Sequence, residues 1–231
     1  MIFLQDIKQP SEGHVLGLWE GYRIRGVYGM SDCVTVLASD THHRLRRYRF
    51  DNRVDETVFT EEVPIISFRV HPNERFVLTT TQRNLRMWDL QSKTLVRNFY
   101  GAQQGNLVIH AGFGGINHGY LATGTEGSDE KNQSTCLKKR FSDHKVVIWS
   151  IGNSKHTMRL RGHKRVVNGV TWNPKYPTLL ASCSEDMTVR IWNIARNDLP
   201  PEPPTSKKKG HKKKTGKQQP ANGKDKKNGT T

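Results

Sequence analysis

The stretch Gly162-His-Lys-Arg-Val-Val-Asn-Gly-Val-Thr-Trp-Asn-Pro-Lys-Tyr-Pro-Thr-Leu-Leu-Ala-Ser-Cys-Ser-Glu-Asp-Met-Thr-Val-Arg-Ile-Trp-Asn-Ile194 decides how the chain is read. Its apolar runs are too short for helices and rich in β-branched residues, and turn residues separate them. With the residues just before it, the unit divides into strands over 156–161, 166–172, 178–182 and 188–194. The breaks fall at Gly162-His163, Asn173-Pro174 and Glu185-Asp186-Met187. Its closing run, Val189-Arg-Ile-Trp-Asn-Ile194, recurs upstream as Leu85-Arg-Met-Trp-Asp-Leu90, Val146-Val-Ile-Trp-Ser-Ile151 and, more weakly, Leu45-Arg-Arg-Tyr-Arg-Phe50. Marker aromatics therefore stand at 48, 88, 149 and 192, with gaps of 40, 61 and 43. The long gap contracts to about 45 once residues 127–142, which have hardly any apolar content, are set aside as an inserted loop.

Four short strands per repeat, opened by Gly-His and closed by Trp, are the signature of the WD repeat, the building unit of a β-propeller. The expected fold is all-β: about four blades of an incomplete, normally seven-bladed ring over residues 1–196. The repeats run at about 14–50, 57–90, 94–151 and 156–194. Leu4-Gln-Asp-Ile7 and Val15–Gly21 parallel Trp88–Leu90 and Leu95–Gly101, so the array is expected to open in the third strand of a blade. After Ile194 the run Asp198-Leu-Pro-Pro leaves no room for an outer strand. The pattern reads as a piece of a longer protein; a half-ring completed by another chain is the alternative.

In the last unit His163, Ser182, Asp186 and Trp192 hold the four positions of a buried polar relay. The aspartate accepts from the histidine, which bridges to the serine, which meets the indole N–H. Leaving one such buried group unmatched costs ~1–3 kcal/mol. The preceding unit is expected to keep part of the relay in Thr123, Asp143 and Trp149, with Ala102 where the histidine belongs. The second unit has Gln82 for the aspartate; the first has His42 for the aspartate and Tyr48 for the tryptophan.

His, Ser and Asp together also suggest a hydrolase, but Ser182 is mid-strand and lacks a Gly-x-Ser-x-Gly elbow, so no catalytic residue is assigned. Gly112-Phe-Gly-Gly115 has no following helix or Gly-Lys-Ser/Thr and reads as an inter-strand turn, not a phosphate cradle. His42, His43, His110, His118 and His144 show no metal-ligand spacing, so neither metal nor cofactor is expected. Cys33, Cys136 and Cys183 form no Cys-x-x-Cys and suit a reducing compartment.

The 231 residues carry 37 Lys+Arg against 21 Asp+Glu, a net of +16, with a mean hydropathy of −0.72. No apolar run approaches the ~18 residues of a membrane span. The charged start Met1-Ile-Phe-Leu-Gln-Asp6 is unlike a secretory signal, so the sequons at Asn132 and Asn228 are not expected to be glycosylated. Leu199–Thr231 holds ten lysines against one glutamate and one aspartate, a net of +8, and no large apolar residue after Leu199. Residues 197–231 are thus read as a disordered Pro/Lys-rich tail. Lys207, Lys208, Lys209, Lys212, Lys213, Lys214 and Lys217 are its candidate nuclear-import or polyanion-binding residues. The tail has no aromatic residue on which a base could stack.

Six blocks carry a closer likeness: Trp19–Gly26, Thr35–His42, Trp88–Arg97, Ile109–Gly115, Asp143–Trp149 and Val167–Pro174. In order, and nearly without gaps over 1–195 apart from the insertion, they resemble the WD repeat-containing protein 26 family, WD-repeat scaffold subunits of GID/CTLH E3 ubiquitin ligases. The resemblance implies the C-terminal half of the family's propeller, in a non-enzymatic scaffold or substrate-recruiting subunit serving proteasome-mediated degradation. Its partners would be ligase subunits or substrate proteins, in cytoplasm and nucleus, with no membrane and no small-molecule substrate. The family's helical LisH and CTLH region has no counterpart here, so assembly through it does not carry over. Trp88-Asp-Leu-Gln91 departs at Gln91 from the Trp-Asp-x-Arg pattern of cullin-4 adaptor recruitment. The loop residues Arg23, Arg25, Gln103, Gln104, Lys164 and Arg165 read as solvated and name no site. The alternative function is association with nucleic acid or ribonucleoprotein through the lysine tail. For 127–142, a genuine loop and a translated intron both stand, since longer loops cost only ~0.6 kcal/mol per doubling.

Overall fold

The computed structural model describes residues 2–5, 15–82, 84–102, 109–126, 144–155 and 158–194. The insertion, Asp143, Gln103, Gln104 and the tail with its seven candidate lysines lie outside them.

The chain is all-β, a run of antiparallel sheets with each strand paired to its neighbour in sequence. An opening ribbon joins β1 (Ile2–Gln5) and β2 (Val15–Trp19). The first full blade is β3 (Ile24–Gly29), β4 (Thr35–Asp40), β5 (Arg44–Arg49) and β6 (Asp55–Thr60). The second is β7 (Ser67–Val70), β8 (Phe76–Thr80), β9 (Leu85–Asp89) and β10 (Thr94–Phe99). The third is β11 (Gly112–Gly114), β12 (Tyr120–Gly124), β13 (Lys145–Ser150) and β14 (Met158–Arg161). The last sheet has three strands, β15 (Val167–Trp172), β16 (Leu179–Ser184) and β17 (Val189–Asn193). Repeat and blade are offset by one strand: β14, which opens the last sequence repeat, completes the third blade by pairing with β13.

Side chains alternate across a strand, so a sheet that packs on both faces must be apolar at successive positions. In β13, Val147 and Trp149 join the core between the second and third blades, whereas Val146 and Ile148 join the core between the third and last. In β4, Leu37 packs toward the second blade and Ala38 toward the opening ribbon. The hydrophobic interior is thus a series of seams between consecutive blades, the arrangement that defines a propeller. Aromatic pairs pin these seams. Tyr48 stacks on Trp19 at 5.1 Å, Phe59 on Trp88 at 4.1 Å, and Phe99 meets Trp149 edge-on at 6.0 Å. In each pair, a residue near the end of one blade's outer strand covers the marker aromatic of the next.

The Gly112–Gly114 run is a strand, not the expected turn. β15 presses on it so closely that a Cβ on Gly114 would lie 2.2 Å from Trp172. Glycine is required there for packing. At Gly115 a positive φ of 74° is required as well, where the chain turns into the short 3-10 segment Ile116–His118.

Candidate functional site

The last blade assembles all four of its expected relay residues. His163 follows β14, Ser182 lies inside β16, Asp186 sits in the β16–β17 turn, and Trp192 lies in β17. The Trp192 indole donates to Ser182 Oγ at 2.8 Å, and Ser182 Oγ lies 2.7 Å from His163 Nε2. His163 Nδ1 is 3.0 Å from Asp186 Oδ2. Asp186 also receives the backbone N–H of Lys164 at 2.9 Å, and the N–H and hydroxyl of Thr188 at 3.0 and 2.6 Å. Burial pushes the Asp186 carboxyl up, but hydrogen bonds from Thr188, Lys164 and His163 outweigh it and hold the group well below the usual carboxylate range. An ionised Asp186 takes the proton on His163 Nδ1, leaving Nε2 to accept from Ser182.

This proton order is also that of a serine hydrolase triad, so geometry alone does not separate the two readings. Access does. Ser182 is only 2% exposed, and its oxygen is already engaged by the indole N–H and by the imidazole. A nucleophile there could not reach a substrate; the arrangement ties β14, β16 and β17 together.

The other blades satisfy their marker aromatics differently. In the second blade Glu61, immediately after β6, takes the place of His163. Its Oε1 accepts from the Trp88 indole at 2.7 Å and the Thr79 hydroxyl at 2.6 Å, while Oε2 meets Arg86 at 2.5 Å. The repeat template expects histidine there, so Glu61 was not singled out from the sequence. Its spacing was the available signal: Glu61 precedes Trp88 by 27 residues, and His163 precedes Trp192 by 29. The third blade corrects an expectation. Trp149 donates to the Tyr100 carbonyl at 3.0 Å instead of joining Thr123, because Ala102 offers no side-chain acceptor to continue a relay. Thr123 is fully buried. At the first blade, the Trp19 indole and Arg46 converge on Asp55 at 3.1 and 2.6 Å, and the Arg46 guanidinium sits 3.9 Å over the Tyr22 ring.

A cleft of about 360 Å³ opens between the first two blades, bordered by Met30, Leu37, Arg47, Glu74, Arg75 and Gln91. Ser31 spans the seam beside it, hydrogen-bonding Glu74 through its N–H at 2.7 Å and its hydroxyl at 2.6 Å. Asp89, of the Trp-Asp pair, is held by Arg75 at 2.8 Å and accepts the Gln91 N–H at 2.8 Å. Among the described residues no group of three or more His, Cys, Asp or Glu side chains is placed to hold a metal ion. No described helix is long and apolar enough to cross a membrane.

A family model for the WD domain, G-beta repeat, matches residues 152–193. The chain is 39% identical over 80% of its length to a WD repeat-containing protein 26 homolog of Drosophila melanogaster, covering 27% of that protein. It is 30% identical over 82% of its length to the WD repeat-containing protein WDS homolog of Arabidopsis thaliana, covering 34% of it. To GID complex subunit 7 of Schizosaccharomyces pombe it is 27% identical over 80% of its length, covering 35%. The chain spans about a quarter to a third of the length of these relatives. Blades packed seam to seam, a buried relay closed by an indole and these similarities together make the chain a WD-repeat protein of β-propeller fold, similar over about four fifths of its length to a WD repeat-containing protein 26 homolog.

Proposed function

We propose that the chain acts as a non-enzymatic interaction scaffold in a GID/CTLH-type ubiquitin ligase, holding ligase subunits or substrate proteins for ubiquitin-dependent degradation. The observation that carries this reading is the use of Ser182, His163 and Asp186 as a buried clamp: a constellation with hydrolytic composition is spent on structure. Relatedness to a protein named as a GID complex subunit supplies the biological setting. The site of action is the cytoplasm and, through the lysine cluster, the nucleus.

The test is affinity capture of the full chain from cells, followed by identification of what comes with it. Ligase subunits in the eluate, lost when the blades are unfolded by core substitutions, support the reading. Their absence overturns it.

The ten lysines after Leu199 favour a second reading, in which the tail holds nucleic acid by counterion release. Cutting after Asp198 should leave ligase-subunit capture intact and abolish retention on a nucleic-acid column. If subunit capture disappears with the tail, the blades are not the docking element.

A further inference from the structure

Charge is distributed unevenly along the arc. Among the described residues, all pairs between a carboxylate and an arginine or lysine lie in the first two blades: Asp40–Arg44, Asp55–Arg46, Glu56–Arg47, Asp51–Arg49, Asp89–Arg75, Glu61–Arg86 and Glu56–Lys93. From β11 onward the pair between described residues is His163–Asp186, and Glu126 and Lys145 are engaged as well. Arg161, Lys164, Arg165 and Arg190 stand together in this second half without a carboxylate partner among the described residues.

The fold gathers these four cations. Arg161 ends β14, and the loop that follows lies over the β16–β17 turn. Lys164 N–H bonds Asp186, the Arg165 carbonyl accepts from Ser184 at 3.1 Å, and the Val166 carbonyl accepts from Glu185 at 3.0 Å. Arg190 reaches across the same loop, close enough that a Cβ on Gly162 would meet its guanidinium at 2.8 Å. Its Nε is buried without a hydrogen-bond partner, as is that of Arg86, so the difference between the two arginines lies at their terminal nitrogens, where Arg86 meets Glu61. Asp186 cannot serve Arg190, because both carboxylate oxygens are engaged by His163, Lys164 and Thr188. Glu185, exposed on the turn, is the remaining acid beside these cations.

The second blade shows what Arg190 lacks. Arg190 pairs across the sheet with Ser182 and stands two residues before Trp192; Arg86 pairs with Thr79 and stands two residues before Trp88. At Arg86 the equivalent loop supplies the Glu61 carboxylate. In the last blade that position is His163, so the second guanidinium keeps its fork of donors and loses its acid.

We propose that Arg190, with Arg161, Lys164 and Arg165, docks an acidic segment of a protein partner, its Asp or Glu carboxylates pairing with these cations from the solvent side of the loop. This rests on the scaffold reading and gives it a binding face. A guanidinium fork matches a carboxylate in two parallel hydrogen bonds. No exposed aromatic ring stands at this loop to stack a base.

The experiment titrates a fluorescent hexaglutamate peptide onto the full chain, alongside a full chain in which the seven lysines from Lys207 to Lys217 are replaced by glutamine, which leaves the tail close to neutral. The proposal expects both to bind, with affinity falling as salt rises. Arg190→Gln should weaken binding about tenfold or more in either background, the loss of one charge-assisted pair. Arg190→Lys should recover part of it, and Lys164→Gln with Arg165→Gln should weaken it independently. If Arg190→Gln melts lower than the parent, the Lys164/Arg165 pair decides. Binding that survives these substitutions, or that vanishes with the tail lysines alone, overturns the proposal. An oligothymidylate of equal charge that displaces the peptide at equal concentration in the tail-neutral chain would assign the site to nucleic acid. Ligase-subunit capture on the same proteins keeps the two readings apart: capture that persists when peptide binding is absent condemns the acidic site and leaves the scaffold standing.

Discussion

At the scale of the residue, the chain solves one problem in several ways: how to bury a marker tryptophan without stranding its N–H. The last blade uses His163, Ser182 and Asp186, the second uses Glu61, and the third uses the Tyr100 carbonyl. Ser182→Ala removes the acceptor of Trp192 and the donor to His163 together, and should cost about 1–3 kcal/mol in a denaturant titration. Glu61→Ala strands a guanidinium as well as an indole, and should cost more, about 3–5 kcal/mol. Glu61→His with Gln82→Asp rebuilds the relay of the last blade and should recover part of that loss. Acid adds a third test. The Asp186 carboxyl is depressed in the folded state from an ordinary value of 3.8, so its stabilisation is complete above the usual carboxylate range and is lost as pH falls through and below it. Asp186→Asn should therefore lower the melting temperature at neutral pH and flatten its decline between pH 5 and 2, about the range where unpaired carboxylates titrate. The His163 relay was legible because its members match a repeat template. Glu61 was not, because beside Glu62 it looks like a solvated loop residue until the sheets bring Thr79, Arg86 and Trp88 around it.

At the scale of the element, strand identity followed from short β-branched runs between turn residues, whereas the closeness of neighbouring strands did not. Gly112-Phe-Gly-Gly115 carries all the local signs of a turn, and only the approach of β15 makes it a strand. A sequence pattern contains periodicity but not the distance between two sheets. That distance can be tested through glycines. A Cβ on Gly114 would lie 2.2 Å from Trp172, and one on Gly124 would lie 2.0 Å from the Val167 carbonyl oxygen. Gly29, in an inner strand, has nothing within 4 Å of the same atom. Gly114→Ala and Gly124→Ala should each destabilise by about 1–3 kcal/mol through overpacking, whereas Gly29→Ala should shift the denaturation midpoint little. Equal effects at all three would mean that the blades sit further apart than described.

At the scale of the whole molecule, the seams are continuous from the opening ribbon to the last blade, and among the described residues the apolar side chains on the other face of the last sheet are exposed. β17 shows the consequence. Arg190, Trp192 and Ile194 turn toward the third blade, while Val189 and Ile191 are 69% and 65% exposed on the other face, beside Met187 at 96%. On β16 the neighbouring outward residue is Cys183, also exposed. A strand of exposed branched apolar residues, with no described strand along its outer edge, invites pairing with another β-surface. A solution of the full chain should therefore self-associate as concentration rises, and light scattering should report it. Ile191→Lys places a charge in the middle of that face without touching the relay on the opposite side, so it should suppress association while leaving the melting temperature within about 0.5 kcal/mol equivalent of the parent. If the lysine variant associates as strongly as the parent, the contact lies elsewhere, and the basic rim at Arg190 and the tail lysines become the surfaces to examine. If it is monodisperse but melts far lower, Ile191 is packed in solution, and the open face is covered there by something the isolated sheets do not show.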